Sequence, residues 1–356
     1  MPSSTVAPDA GRIGEGRTAA PIARRRRRLL LGFAGAALLL VVLSVLSLMV
    51  GARTIAPADV LHALTHYSRS DPNALVVVDS RLPRTLLGIA AGLGLGLAGT
   101  VMQGLSRNPL ADPGILGVNF GASLAVVVAI AFLGVTAPSG YIWFAFAGAA
   151  LASALVYAVS SLGREGATPV KLALAGAAVS AALGSLITAV ELTSRVSLDA
   201  MRFWQVGSLA GRGFGVLLQV LPTLALGAVI ALALGRLLNG LALGDDVARG
   251  LGQRVGVSRG LSGVAVVLLC GSATAAVGPI AFAGLIVPHI ARRVVGADYR
   301  WILAYSALLA PSLLLGCDII GRVVAPPGEL QVGVVLAFVG APVFIALVRR
   351  RRTVAL

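Results

Sequence analysis

Long apolar runs recur along this chain, each closed by a short polar break, and most are of the roughly 17 to 25 residues that cross a bilayer as an α-helix. They predict ten helices, near residues 29–50, 85–104, 114–135, 141–162, 170–191, 214–235, 260–277, 280–290, 300–321 and 331–348. Composition agrees: 57% of the residues are hydrophobic, 12% are charged and the mean hydropathy is +0.93. A soluble domain carries about 25% charged residues and could not hide this much apolar surface. The expected fold is therefore an all-α integral membrane protein, a compact bundle of about ten transmembrane helices. Residues 1–28 read as a disordered basic N-terminal tail, 29–349 as the transmembrane domain and 350–356 as a basic C-terminal tail. The first run is longer than a signal-peptide core and no small-x-small cleavage site ends it, so it is expected to remain as a span.

The net charge of +15 does not point to nucleic acid, because the basic residues sit at the ends of apolar runs and cluster only at the termini. Ten spans starting inside would put twenty-one of the 29 Lys and Arg residues on the cytoplasmic side, which predicts both termini there. The two basic tails are expected to touch anionic lipid headgroups. Cys270 and Cys317 lie in apolar runs without a His or Cys at ligand spacing and read as packing residues. His62 and His66 stand four apart, but no third ligand is evident, and Pro57, Asp59 and the Val60, Leu61, Leu64 pattern read more simply as a short interfacial helix.

Two features depart from plain lipid-facing helices. Gly88, Gly92 and Gly96 recur every four residues, with Gly94 and Gly99 beside them, which predicts a helix buried among others at close range. The Gly278-Pro279 break leaves a run of only about 11 residues up to Pro288 and His289, too short to cross alone, so it must be buried in protein or line a cavity. A similar break, Asn108-Pro109 to Asp112-Pro113, follows the second run, as an inverted repeat would leave.

No G-x-x-x-x-G-K-[ST] is present, and the one lysine, Lys171, follows Val170. The chain cannot be a P-loop ATPase. Glu191, Asp318, Arg322 and Glu329 all fall near predicted span ends rather than mid-span, which argues against a stand-alone secondary transporter. The longest inside loop, about 238–258, carries Gly244, Asp245, Val247, Ala248, Arg249, Leu251 and Gly252. Asp245 is expected to N-cap a short helix, with Val247, Ala248 and Leu251 offering an apolar surface.

The stretch Arg81-Leu82-Pro83-Arg84-Thr85, then Gly99 to Gln103, Arg107-Asn108-Pro109-Leu110-Ala111-Asp112-Pro113 and Leu116-Gly117-Val118 resembles the signature of the FecCD-type permeases. Further matches follow in order: Phe203-Trp204, Gly207 to Gly211, the Gly244 to Gly252 loop, Gly278 to Arg292, and Glu329-Leu330 to Pro342. These permeases are membrane subunits of bacterial ABC importers for iron-siderophores, haem and cobalamin. The resemblance implies a non-enzymatic subunit of the cytoplasmic membrane that pairs with a second permease chain, identical or related. It also implies two ATPase subunits, which carry ATP and Mg, no cofactor on this chain, and an extracytoplasmic solute-binding protein. The Gly244 to Gly252 loop would then couple to the ATPase. Arg81, Arg84 and Arg322 would dock carboxylates of the binding protein, or alternatively anchor helix ends. Pro109, Pro113, Gly278, Pro279 and Pro288 would be structural breaks near the translocation path. The expected cargo is a ferric siderophore, with haem or cobalamin as the alternative.

Overall fold

The computed structural model describes residues 19–51, 53–162, 167–325 and 328–352, and these hold helices and connecting segments with no strand among them. Most of the expected N-terminal tail, Arg164 and the last four residues of the C-terminal tail lie outside the described residues. Helix α1 (Ala19–Met49) starts ten residues before the apolar run, because Arg24 to Arg28 continue it; arginine is a strong helix former. α2 (Pro57–Thr65) is the short helix expected around His62, whose ring stacks on His66 with centroids 5.0 Å apart.

A single turn, α3 (Pro72–Ala74), leads through a π-helical stretch at Leu75–Arg81 into α4 (Leu82–Ser106), a continuous run of 35 residues. The wide turn has a local cause. Pro83 has no N–H for the carbonyl one turn back, and the Leu82 N–H reaches Val77 O, five residues earlier, instead of closing an ordinary α turn.

After α4 the chain turns at Arg107, which sits in the left-handed region, and Asp112 caps the Pro113–Leu116 turn through Gly114 N at 2.8 Å. Then follow α5 (Val118–Leu133), α6 (Pro138–Ser160), α7 (Pro169–Thr193), α8 (Arg195–Gln205), α9 (Phe214–Ala233), α10 (Gly235–Ala242) and α11 (Asp245–Gly250). The last four are α12 (Val255–Val277), α13 (Ala283–Val295), α14 (Tyr299–Val324) and α15 (Val332–Arg352). Each of the ten expected segments carries a helix. Among the described residues, seven are long and apolar enough to cross a membrane, while Val118–Leu133 and Val332–Ala346 are shorter apolar helices. The expected half-length helix is present as α13, shifted to start after a five-residue coil and continuing past Pro288.

α4 is the centre of the bundle. Its most apolar stretch is 78% buried, against 11% for α1 and 22% for α7. The glycines explain how. A Cβ at Gly92 would strike the backbone of Pro311, one at Gly96 would strike Ala310 and Ser306 O, and one at Gly94 would meet Leu269 O at 3.0 Å. Thus one edge of α4 lies against α14 and another against α12, at backbone distance.

Gly99 meets the backbone of Gly284 in the first turn of α13, and Gly284 in turn faces Leu95 O and the ring of Pro113. The two Gly/Pro breaks, far apart in sequence, therefore converge on one point of α4. Replacing Gly99 by leucine drives a side chain into backbone that cannot rotate away. It should destabilise the fold by about 3 kcal/mol, read as loss of the monodisperse peak and a lowered melting midpoint in detergent, whereas a leucine at solvent- or lipid-open Gly215 should be tolerated.

Candidate functional site at the two ends of the bundle

At one end, the three arginines expected to dock a partner gather where α1, α4 and α14 meet. Arg84 donates from Nε and Nη2 to the Asp318 carboxylate, at 3.1 and 2.8 Å, and from Nη1 to Glu329 Oε2 at 2.7 Å. Arg322, one turn beyond Asp318 on the same helix, donates to Asp318 Oδ2, which Arg84 Nε also reaches. It also donates to Ser47 O at 2.8 Å and to Ser47 Oγ at 3.1 Å. Arg81 donates to Leu48 O and Met49 O, at 2.8 and 2.7 Å, and to Arg53 O. Ser47 Oγ pairs with Thr85 Oγ1 at 2.8 Å.

These bonds hold the last carbonyls of α1, the start of α4 and the end of α14 together, so cations meet the negative end of the α1 dipole. The exposure expected of the arginines is absent: Arg81, Arg84 and Arg322 are 6%, 9% and 3% exposed, and Asp318 is 1% exposed. In this conformation they hold helix ends, the alternative use noted for them, and Glu329 is the exposed member of the cluster. Periodicity gave no sign that Asp318 would be shared by two arginines, since the partner Arg84 is 234 residues away.

Beside this cluster, the segment after α8 seals the end of α12. Ser208 N donates to Val277 O at 2.8 Å, and Gly333 N at the start of α15 donates to Gly207 O at 3.2 Å. Gly278, at φ +81°, lies against Trp204 O, and Gly207, at φ +76°, faces Pro279 O. The Gly278-Pro279 break and the Gly207 turn are thus one packed knot, where side chains larger than hydrogen have no room.

The opposite end carries the loop with α10 and α11. Gly244, at φ +115°, is the residue that caps α11, and Asp245 is its first helical residue, not the N-cap expected from sequence. Its carboxylate is drawn away from the backbone by two cations: Arg107, at the end of α4, and Arg259 of α12, which donates from Nη2 at 2.8 Å. Arg259 also donates from Nη1 to Ala167 O, just before α7, at 3.1 Å. Asn239 of α10 bridges to the start of α14, donating to Asp298 Oδ1 and accepting from Tyr299 N, both at 2.8 Å. Burial, and then the Arg259 charge, lowers the Arg107 guanidinium from its ordinary value.

The surface offered by α11 also differs from expectation. Ala248 is fully buried, while Val247 and Leu251 are 48% and 64% exposed and Arg249 pairs with exposed Asp246 at 2.8 Å. Gly252 turns at φ +79° and returns the chain to α12. Contact by another protein would therefore fall on Asp246, Val247, Arg249 and Leu251, with Ala248 holding α11 to the bundle. Arg107, Arg259 and Asn239 escaped the sequence reading as supports of this loop.

Asp318→Asn would leave buried Arg322 without a carboxylate partner and Arg84 with Glu329 alone. It should cost about 3 to 5 kcal/mol, measured as a fall in melting midpoint, and Arg322→Met together with Asp318→Asn should recover part of that loss.

The comparisons fit this architecture. The FecCD transport family matches residues 39–350. The chain is 49% identical over 317 residues to the ferric enterobactin transport system permease protein FepD of Escherichia coli (strain K12), covering 89% of this chain and 94% of that protein. It is 35% identical over 338 residues to the hemin transport system permease protein HmuU of Yersinia pestis, covering 92% and 98%. A solved inward-facing metal-chelate-type ABC transporter has the same fold, with a TM-score of 0.78 at 30% identity, covering 89% of this chain and 98% of that one. With a family match over nearly the whole chain, and a bundle built around the same glycine and proline breaks that carried the resemblance, this multi-pass membrane protein belongs to the FecCD transport family.

Proposed function

We propose that this chain is the transmembrane pore-forming subunit of a binding-protein-dependent ABC importer for ferric siderophores in the bacterial cytoplasmic membrane. The observation that carries the substrate is the 49% identity spanning 94% of a ferric enterobactin permease. Haem is the second reading, supported by the hemin permease relative at 35% identity. The pore forms with a second permease chain, and both termini are cytoplasmic.

No residue here performs chemistry on a substrate. An ATPase subunit supplies ATP hydrolysis and grips α11 through Val247, Arg249 and Leu251. Asp245 passes the motion to α4 through Arg107 and to α12 through Arg259, while Asn239 carries it to α14. Rigid helices tied to one loop in this way favour rocking of the bundle, and hence alternating access, over local rearrangement. At the other end, an incoming carboxylate of a solute-binding protein competes with Glu329 for Arg84, the one place where the buried arginine cluster meets the surface.

Leu251→Glu should leave the fold intact, within about 0.5 kcal/mol, yet weaken ATPase co-purification by about tenfold and reduce radiolabelled ferric siderophore uptake in step. Ala248→Glu should instead destabilise the chain, because its site is buried. Uptake that persists after complete removal of the ATPase would overturn the importer reading, and uptake of haem in preference to ferric siderophore would reassign the cargo.

A further inference from the structure

Between α6 and α12 lies an apolar cavity of about 430 Å³, open to the outside of the bundle and lined at one end by Tyr157 and Arg259 and at the other by Phe146 and Leu268. The coordinates of its ends set its length. From Arg259 to Leu268 is nine helical residues, about 13 Å, and from Tyr157 to Phe146 eleven, about 16 Å. One leaflet of hydrocarbon is about 15 Å thick. The cavity therefore runs through a single leaflet, from the coupling-loop end to the middle of the membrane.

Gly260 and Gly263 form part of its wall, and a Cβ at either would meet nothing within 4 Å, so the space is not a packing defect closed by neighbours. Arg259 stands at the mouth and shares the Asp245 carboxylate with Arg107, so two cations meet one anion there. Arg259 donates three hydrogen bonds, to Asp245 and Ala167, from two of its nitrogens, and a guanidinium has five N–H donors.

We propose that this slot binds one acyl chain of an anionic phospholipid, with the phosphate at the Arg259 rim. A lipid seated there lies against the same arginine that holds Asp245 of α11, so the lipid and the coupling loop share a support. The site follows from the embedding of the bundle and is independent of which cargo is carried.

The test uses the purified full chain, exchanged into micelles doped with phosphatidylglycerol or phosphatidylcholine and examined by native mass spectrometry. Wild type and Gly263→Ala should each retain one phosphatidylglycerol per chain, and Gly263→Phe, which fills the slot, should retain at least tenfold less. Arg259→Gln should lose the preference for phosphatidylglycerol over phosphatidylcholine. Equal retention by wild type and Gly263→Phe overturns the proposal, as does equal retention of the two lipids by wild type. Should Gly263→Phe fail to fold, wild type is labelled with a photoactivatable phosphatidylglycerol instead: adducts within 146–157 and 259–268 support the site, and adducts only elsewhere overturn it. A photocrosslinker at position 263 that captures a second copy of this chain would show the slot to be a protein interface and likewise overturn it. Transport is not a readout, so these outcomes stand apart from those that test the importer reading.

Discussion

Backbone-to-backbone contact along α4 is the constraint on which the rest of this molecule depends. In hydrocarbon there is no apolar driving force between helices, so association rests on van der Waals contact and on hydrogen bonds that lipid cannot supply. Gly92, Gly94, Gly96 and Gly99 let α12, α13 and α14 approach to the point where their carbonyls and Cα atoms touch this one helix. Because Gly284 and Pro113 meet at Gly99, the irregular backbone of both breaks is enclosed by protein, the condition for such backbone at membrane depth.

The polar clusters sit at the two ends of that packed centre, and each solves an end problem. At one end, the terminal carbonyls of α1 would lack partners, and Arg81 and Arg322 supply them. Bringing those cations in requires a counter-charge, which is Asp318, shared with Arg84. At the other end, Asp245 plays the reverse part, a carboxylate between two arginines of different helices. In both places the ion pairs join helices that are remote in sequence.

How much of this was legible in the sequence depends on the range of the interaction. Helix positions were readable because hydropathy is a local property, and the glycine spacing of α4 announced close packing because small-residue repeats act through one helix face. The loop at Asp245 to Gly252 was placed on the right segment, but its facing was not. Ala248 turned inward and Asp245 became an ion-pair partner because Arg107 and Arg259 arrive from elsewhere in the chain. The early start of α1 was hidden as well, since an arginine run has strong helical propensity yet also the composition of a tail.

The sequence by itself determined the class of the fold, the approximate positions of its helices, the breaks at Gly278-Pro279 and Asn108-Pro109, and the family resemblance, since each is written in residues that are adjacent or periodic. Only the tertiary structure decided where Arg81, Arg84 and Arg322 spend their charge, which face of α11 is free, and that α6 and α12 part to leave an apolar slot of about 430 Å³. Those properties belong to pairs of surfaces, and a burial or an ion pair between residues more than 200 positions apart has no local signature for a sequence to carry.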